Sequence, residues 1–536
     1  MRKYFLIIVT IILILGLAGC IKDPPIPDEG VEPKNPFVMN SYFTDSMIIQ
    51  QNQPINIFGK SEKGVLIEVS LFKKEASEPI QSAKTFVDEN GDWKVVFSPI
   101  SASFQLYKLK VTDSVHTKEI NDILVGEVWL TSGEKNMAWP MRYTKDASSY
   151  IINNENKKYI RYFSQDHYPN NDPSQQPIGD PQFDFSNGRW NSANSLKSLD
   201  ASAISYIFAC ELFEELNKGS AKVPVGFIES AVAESNIHAW LPKSKIDSNP
   251  YLRNYLLTKN LYQIDNLGDK NYNQTANLYN NKINPLKGIN LKGVIWYQGL
   301  SDIGYYEYYN EALRSLIDAW REELSPNLAF IVVGEHAYEK ENLAGFRRAQ
   351  ILGTNYHLNV LIVPTYDLEF EYEYQNGYEM EKPDVSSPYY PINKIELAQR
   401  IEKAALSLVY NSNEKYFSPR LHNYTVSLTE NTITLYFANT KNLRVKLLGE
   451  IEELAKPRPV EEYQTITNLI LVLVDDTEIE AEVTVNENII KIYYEDIKQI
   501  KSVKYAYLDL CADSNLFNEM DLPVLPFYLN IKWYHN

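Results

Sequence analysis

Four short stretches of this chain concentrate the side chains that could do chemistry. The first runs Gly126-Glu127-Val128-Trp129-Leu130-Thr131-Ser132-Gly133-Glu134-Lys135-Asn136-Met137-Ala138-Trp139-Pro140-Met141. The second is Ser230-Ala231-Val232-Ala233-Glu234-Ser235-Asn236-Ile237-His238-Ala239-Trp240, and the third is Gly293-Val294-Ile295-Trp296-Tyr297-Gln298-Gly299 followed by Leu300, Ser301 and Asp302. The fourth is Pro388-Tyr389-Tyr390-Pro391-Ile392-Asn393-Lys394. Ser132, Ser235 and Ser301, with His238 and His336, are the raw material of a serine nucleophile and its base, since a triad is defined by geometry and not by chain order. Each serine also has a plainer use as a cap, and each histidine as a satisfied structural residue. Glu234 with Asp302 is a carboxylate pair of the kind glycoside hydrolysis uses. The cation Lys135 is accompanied in these stretches by the acids Glu134, Glu234 and Asp302, and an unpaired charge in a closed pocket is expensive. Lys135 is therefore expected to pair with Glu234 or Asp302; in an open, solvated site these charges would simply be exposed.

The elements around these stretches argue for an α/β fold. Val128-Trp129-Leu130, Gly293–Tyr297, Leu328–Val333 and Val360–Pro364 read as short buried strands, and 202–218, 305–323 and 394–410 as amphipathic helices. Such alternation gives a parallel sheet covered on both faces, with its site at the carboxyl ends of the strands. The polar stretches 143–200 and 241–275 read as long surface loops. Residues 37–125 read as an N-terminal antiparallel β-sandwich with a hairpin turn at Asn90-Gly91, and 411–536 as a C-terminal antiparallel β-domain.

The four stretches resemble the sialate O-acetylesterase family, within the SGNH hydrolases. Further matches in the same order are Pro224–Ile228, Leu278-Tyr279-Asn280, Ala319-Trp320-Arg321, Arg347-Arg348-Ala349-Gln350 and Leu522–Phe527. The resemblance implies a central SGNH-type three-layer α/β/α domain over 126–410, flanked by the two β-domains, and an O-acetylated sugar as substrate. It also implies what this chain has lost. Lys135 stands at the serine nucleophile, Pro388 at the Asp and Tyr390 at the His. Ala233 and Glu234 replace the glycines that serve the oxyanion, and Asp302 replaces an Asn donor. An ionised Asp accepts hydrogen bonds and donates none, and a phenol is a poor base at neutral pH. Losing one main triad member costs about 10⁶ in rate. The expectation is a pseudoenzyme that binds a glycan or partner through Ser132, Glu134, Asn136, Trp139, His238, Gln298 and Ser301. Trp139, Trp240, Trp296 and Tyr390 could offer stacking surface, or core packing. An active esterase with a relocated nucleophile and a noncatalytic scaffold are the alternatives.

Composition narrows the setting. With 536 residues the chain has room for two or three cores. A net charge of -17 disfavours nucleic acid as partner. Arg2-Lys3, the apolar run 4–17 and Leu17-Ala18-Gly19-Cys20 read as a lipoprotein signal peptide over 1–20, with Cys20 lipidated. The Pro- and acid-rich segment 21–36 reads as a tether. The expectation is an exported protein of the bacterial cell envelope, held to the membrane by its lipid. The remaining cysteines, Cys210 and Cys511, require no disulfide. The 7 His show no metal-ligand spacing, so no metal or cofactor is expected.

Overall fold

A computed structural model describes residues 32–151, 155–165, 180–185, 188–194, 196–264, 272–368, 389–413, 415–446 and 465–532. The leader with Cys20, most of the tether and Pro388 lie outside the described residues.

One strand organises the chain. Thr117–Gly133 is 17 residues long. Its first half pairs antiparallel with Ser103–Thr112, and its second half lies parallel between Val225–Ala231 and Gly293–Tyr297. The strand thus runs unbroken through the junction at 125/126, so the N-terminal β-layer and the central sheet share it. The central order is Arg189–Ser192, Ile160–Ser164, Val225–Ala231, Thr117–Gly133, Gly293–Tyr297, Ala329–Val333, Val360–Val363. Only the edge strand Arg189–Ser192 is antiparallel to its neighbour.

The sheet is covered on both faces, which is why its strands read as unbroken apolar runs. Val128 and Leu130 pack into one core with helices Tyr306–Glu323 and Leu343–Thr354. Trp129, between them, points the other way into a core with Ala203–Leu216 and Ile395–Val409. Ser202 caps the helix Ala203–Leu216, its side chain accepting from the Ser205 amide. Because the chain leaves Thr117–Gly133 first toward Ile160–Ser164 and later returns to Gly293–Tyr297 on its other side, the carboxyl end of the long strand is a topological switch point. Gly133-Glu134-Lys135 sit there.

Three readings of local structure change. The stretch 143–200 contains two strands, and 241–275 contains helices Lys243–Ser248 and Pro250–Thr258. The second helix starts on an Asn249 cap with proline at its first position, a signal present in the sequence. The Asn90-Gly91 turn does not close a hairpin. It links Gln81–Phe86, which pairs with Leu66–Lys73, to Asp92–Phe97, which pairs with Ile55–Lys60 in the other sheet. The Asp88 carboxylate accepts from the amides of Asn90 and Asp92 and shapes that corner.

At the C-terminal end, one antiparallel sheet contains Arg420–Ser427, Thr432–Ala438, Ile489–Tyr493 and Glu482–Asn486. A second contains Glu478–Glu480, Leu469–Leu473, Ile500–Tyr505 and Phe527–Asn530. Their apolar faces meet in a third core with Ile433, Leu471, Ile490 and Val503. Cys210 and Cys511 are free, buried thiols. Among the described residues, no helix is long and apolar enough to cross a membrane, and no group of three His, Cys, Asp or Glu side chains is placed to hold a metal.

Candidate functional site

The four chemistry-bearing stretches come close together at the switch point. Gly133 ends the long strand with φ +143°, and a Cβ there would meet the Tyr297 carbonyl oxygen at 2.0 Å. That close approach lets the Glu134 amide donate to the Tyr297 carbonyl at 2.9 Å. The chain then turns into the short helix Lys135–Ala138.

Lys135 does not pair with Glu234 or Asp302. Its ammonium sits 3.9 Å over the ring centroid of Tyr390, and the Tyr390 ring stacks on Trp139 at 6.2 Å and 20°. The expected carboxylates have other partners. Asp302 is fully buried and accepts four hydrogen bonds: from Asn236 Nδ2 (3.0 Å), the Ile237 amide (2.7 Å), Gln298 Nε2 (2.7 Å) and the Tyr308 hydroxyl (2.6 Å). Burial raises its pKa while these donors pull it down. Asp302 is thus a structural hub tying the second and third stretches to helix Tyr306–Glu323. Glu234 is exposed at φ +59°, accepting from Tyr272 at 3.4 Å. The backbone is left-handed here under a side chain that disfavours it. Ala233 is the half-buried residue before it.

Glu134 is buried and accepts from the Ser301 hydroxyl, the Gly299 amide (3.2 Å) and the Ser301 amide (3.3 Å). Burial pushes its carboxyl up to about 8, against the pull of those donors. Asn136 bridges the fourth stretch: its Nδ2 donates to the Tyr389 carbonyl at 2.9 Å and its Oδ1 accepts from Lys394 Nζ at 2.8 Å. Burial lowers the Lys394 ammonium to about 7, with Glu335 opposing the shift, and Nζ lies 5.5 Å from the Trp139 ring centroid. Gln298 donates to the Ser235 carbonyl and to Asp302, and its Oε1 accepts from Tyr309.

The space left over is small. Glu134, Lys135, Asn136, Gln298, Glu335 and Tyr390 line a cavity of about 10 Å³, room for about one water molecule. Ser132 is not on its wall, because that hydroxyl lies inside the sheet and donates to the Ser230 carbonyl at 2.6 Å. Ser235 donates to the Val232 carbonyl and accepts from Trp240 Nε1. Among the described residues, none of Ser132, Ser235 and Ser301 donates to an imidazole. His238 is also off the wall, and burial lowers its imidazole to about 4. His336 is buried 3.1 Å from the Glu335 carboxylate. Trp240, Trp296 and Trp320 form an edge-to-face core stack, with centroids 5.7 and 5.6 Å apart. Trp139 is 2% exposed, so of the expected stacking residues only Tyr390 is half-exposed.

Sequence reasoning missed Lys394 and Glu335 as members of this cluster. Lys394 at the end of the fourth stretch, and the acid two residues beyond strand Ala329–Val333, were the available signals.

The architecture is similar to that of a solved carbohydrate acetylesterase. It superposes on a carbohydrate acetylesterase from Xanthomonas citri with a TM-score of 0.72 at 22% identity, covering 92% of this chain and 99% of that one, a likeness of fold. Residues 125–375 match the model of the carbohydrate esterase, sialic acid-specific acetylesterase family. Curated relatives are the sialate O-acetylesterases of Pongo abelii, 27% identical over 300 residues, and of Homo sapiens, 27% identical over 305. Each alignment covers 53% of this chain and 53% of the relative, so the chain spans about half the length of the curated relatives it matches. Through this central region the chain is similar to the sialic acid-specific acetylesterase family.

Proposed function

We propose that this protein is a non-hydrolytic member of its family, acting at the bacterial cell envelope by binding a glycan or a partner protein. The observation that carries the reading is the stack of Lys135 on Tyr390 beside a 10 Å³ cavity. Ester hydrolysis needs a nucleophile, a base, oxyanion donors and room for the acyl group. Here a cation and a phenol stand at the first two positions. The amides of Gly299 and Ser301 already donate to Glu134, and an acetyl group has no space. The carbohydrate connection comes from the family. Attachment through a lipid on Cys20 comes from the leader sequence.

A fluorophosphonate probe, which labels activated serines, tests the reading. The full-length protein should stay unlabelled under conditions that label an active serine esterase. Stoichiometric labelling of Ser132, Ser235 or Ser301 would contradict it and reveal a relocated nucleophile. Metabolic incorporation of a labelled fatty acid, abolished by Cys20→Ala, is the expected result for the anchor; unchanged incorporation in that variant would remove it.

A further inference from the structure

A second site lies where the central domain meets the C-terminal β-domain. Between helix Leu343–Thr354 and the strands Arg420–Ser427 and Phe527–Asn530 runs a groove of about 300 Å³. It shares no lining residue with the closed cavity at Lys135. Its wall carries Arg348, Arg420 and His422, and none of its described lining residues is a carboxylate. In a chain of net charge -17 such a patch is unusual.

The two guanidinium groups are not used up by the fold. Arg347 shows what structural use looks like: it donates to the carbonyls of Glu335, His336, Leu508 and Asp509. Arg348, one residue on, makes no hydrogen bond or ion pair among the described residues. Among the described residues Arg420 reaches only the side-chain oxygen of Asn355, at 3.0 Å, which leaves most of its five donors available. Cations at a surface usually find an acid nearby, and here none lines the groove.

The backbone supplies an independent observation. The ladder between Arg420–Ser427 and Thr432–Ala438 slips at His422, with Leu421 opposite Phe437 and Asn423 opposite Tyr436. A bulge leaves its extra residue unpaired and re-aims side chains, and bulges concentrate beside functional sites. The other wall is apolar and fixed. Tyr528 is held edge-to-face by Tyr507, centroids 5.0 Å apart, and its hydroxyl accepts from Ser502 at 3.1 Å.

We propose that this groove binds a small carboxylate-bearing sugar. The guanidinium forks of Arg348 and Arg420 match a carboxylate. Tyr528 and Leu421 offer an apolar wall for the face of a sugar ring. The Asn355 amide N–H group, its oxygen already engaged by Arg420, is left to donate to a hydroxyl. The volume is at the small end of ligand pockets, roughly 300–1,000 Å³, and suits one sugar unit. A free inorganic anion would leave the apolar wall unused, and a neutral sugar would leave two guanidinium groups unpaired. The larger cleft near Arg400, about 470 Å³, lacks this character: it carries Asp146 and Glu396, and Arg400 is bound bidentately by Asp367. The proposal does not depend on whether the esterase site is active.

Calorimetric titration of the full-length protein tests it, with glucuronate, N-acetylneuraminate, glucose and inorganic phosphate as separate probes. Saturable binding of at least one sugar acid is expected, at least tenfold tighter than glucose or phosphate. Arg348→Gln and Arg420→Gln should each weaken it about tenfold or more, as loss of a charge-assisted hydrogen bond does, with the thermal midpoint unchanged. Binding of neither sugar acid would overturn the proposal, as would phosphate or glucose binding as tightly. Undiminished binding in both variants would place the ligand elsewhere and overturn it too.

Discussion

The ammonium of Lys135 lies over the ring of Tyr390, 3.9 Å from its centroid. In the resemblance to the esterase family these two positions belong to the nucleophile and its base. Here they make a cation–π contact, backed by Trp139, and share the lining of a small cavity with Glu134 and Glu335. The two residues are complementary: the cation of Lys135 is satisfied by the aromatic face of Tyr390.

That contact predicts a specific mutational pattern. Tyr390→Ala removes both the cation–π contact and the stack on Trp139, and should destabilise the fold by roughly 1–3 kcal/mol in urea unfolding. Tyr390→Phe keeps the face and should cost less than about 0.5 kcal/mol. Equal losses in the two variants would show that the hydroxyl, and not the ring, is what matters.

Glu134 gives a pH dependence with a defined sign. Its folded pKa is raised from 4.5 to about 8 by burial. Between those values the folded protein keeps a proton that the unfolded chain has released, so this group's contribution to stability falls as pH rises through the window. Glu134→Gln can still accept from Ser301 and does not titrate. Relative to wild type it should gain roughly 2–5 kcal/mol between about pH 4.5 and 8, and stay level above. A difference curve that is flat across the window would mean that Glu134 is ionised in the fold at all these pH values.

Asp302 separates a lost oxyanion donor from a structural hub. Asp302→Asn gives the residue type that the resemblance implies, but turns an amide N–H group toward donors such as the Ile237 amide and the Tyr308 hydroxyl. A loss of about 2–4 kcal/mol in chemical unfolding is expected. A neutral result would mean that the four hydrogen bonds to Asp302 contribute little.

Glu234 sits at φ +59° with its side chain in solvent. Glu234→Gly should raise stability by about 0.5–1 kcal/mol, read as a higher thermal midpoint, because glycine relieves the left-handed backbone. A lower midpoint would show that the Tyr272 contact outweighs the strain.

The fold was legible where one signal dominated. Gly293–Tyr297 and Ala329–Val333 are buried on both faces and read as apolar runs; Tyr306–Glu323 carries a clean amphipathic stripe. Ile160–Ser164 was hidden because Arg161 and Tyr162 look like surface residues. In the fold Arg161 is buried on Asp122 and Tyr162 stacks on Phe227. The Asn90-Gly91 turn was legible, but its partner strands were not, since pairing between sheets is set by tertiary packing. In the site, the four chemistry-bearing stretches were legible, and the structure brings them together. The partner of Lys135 could not, because the sequence does not show that Asp302 is already saturated by four donors while Tyr390 offers a ring face at contact distance. Lys394 was likewise invisible as a buried amine until Asn136 and Trp139 closed around it.

The most direct test of the account is hydrolysis of a chromogenic acetyl ester by the full-length protein, beside Lys135→Ser and the combined Lys135→Ser, Tyr390→His, Pro388→Asp variant. The account predicts that wild type shows no turnover above a heat-killed control. Lys135→Ser alone should also stay inert, because base and oxyanion donors are still missing. Wild-type turnover well above the control would contradict it.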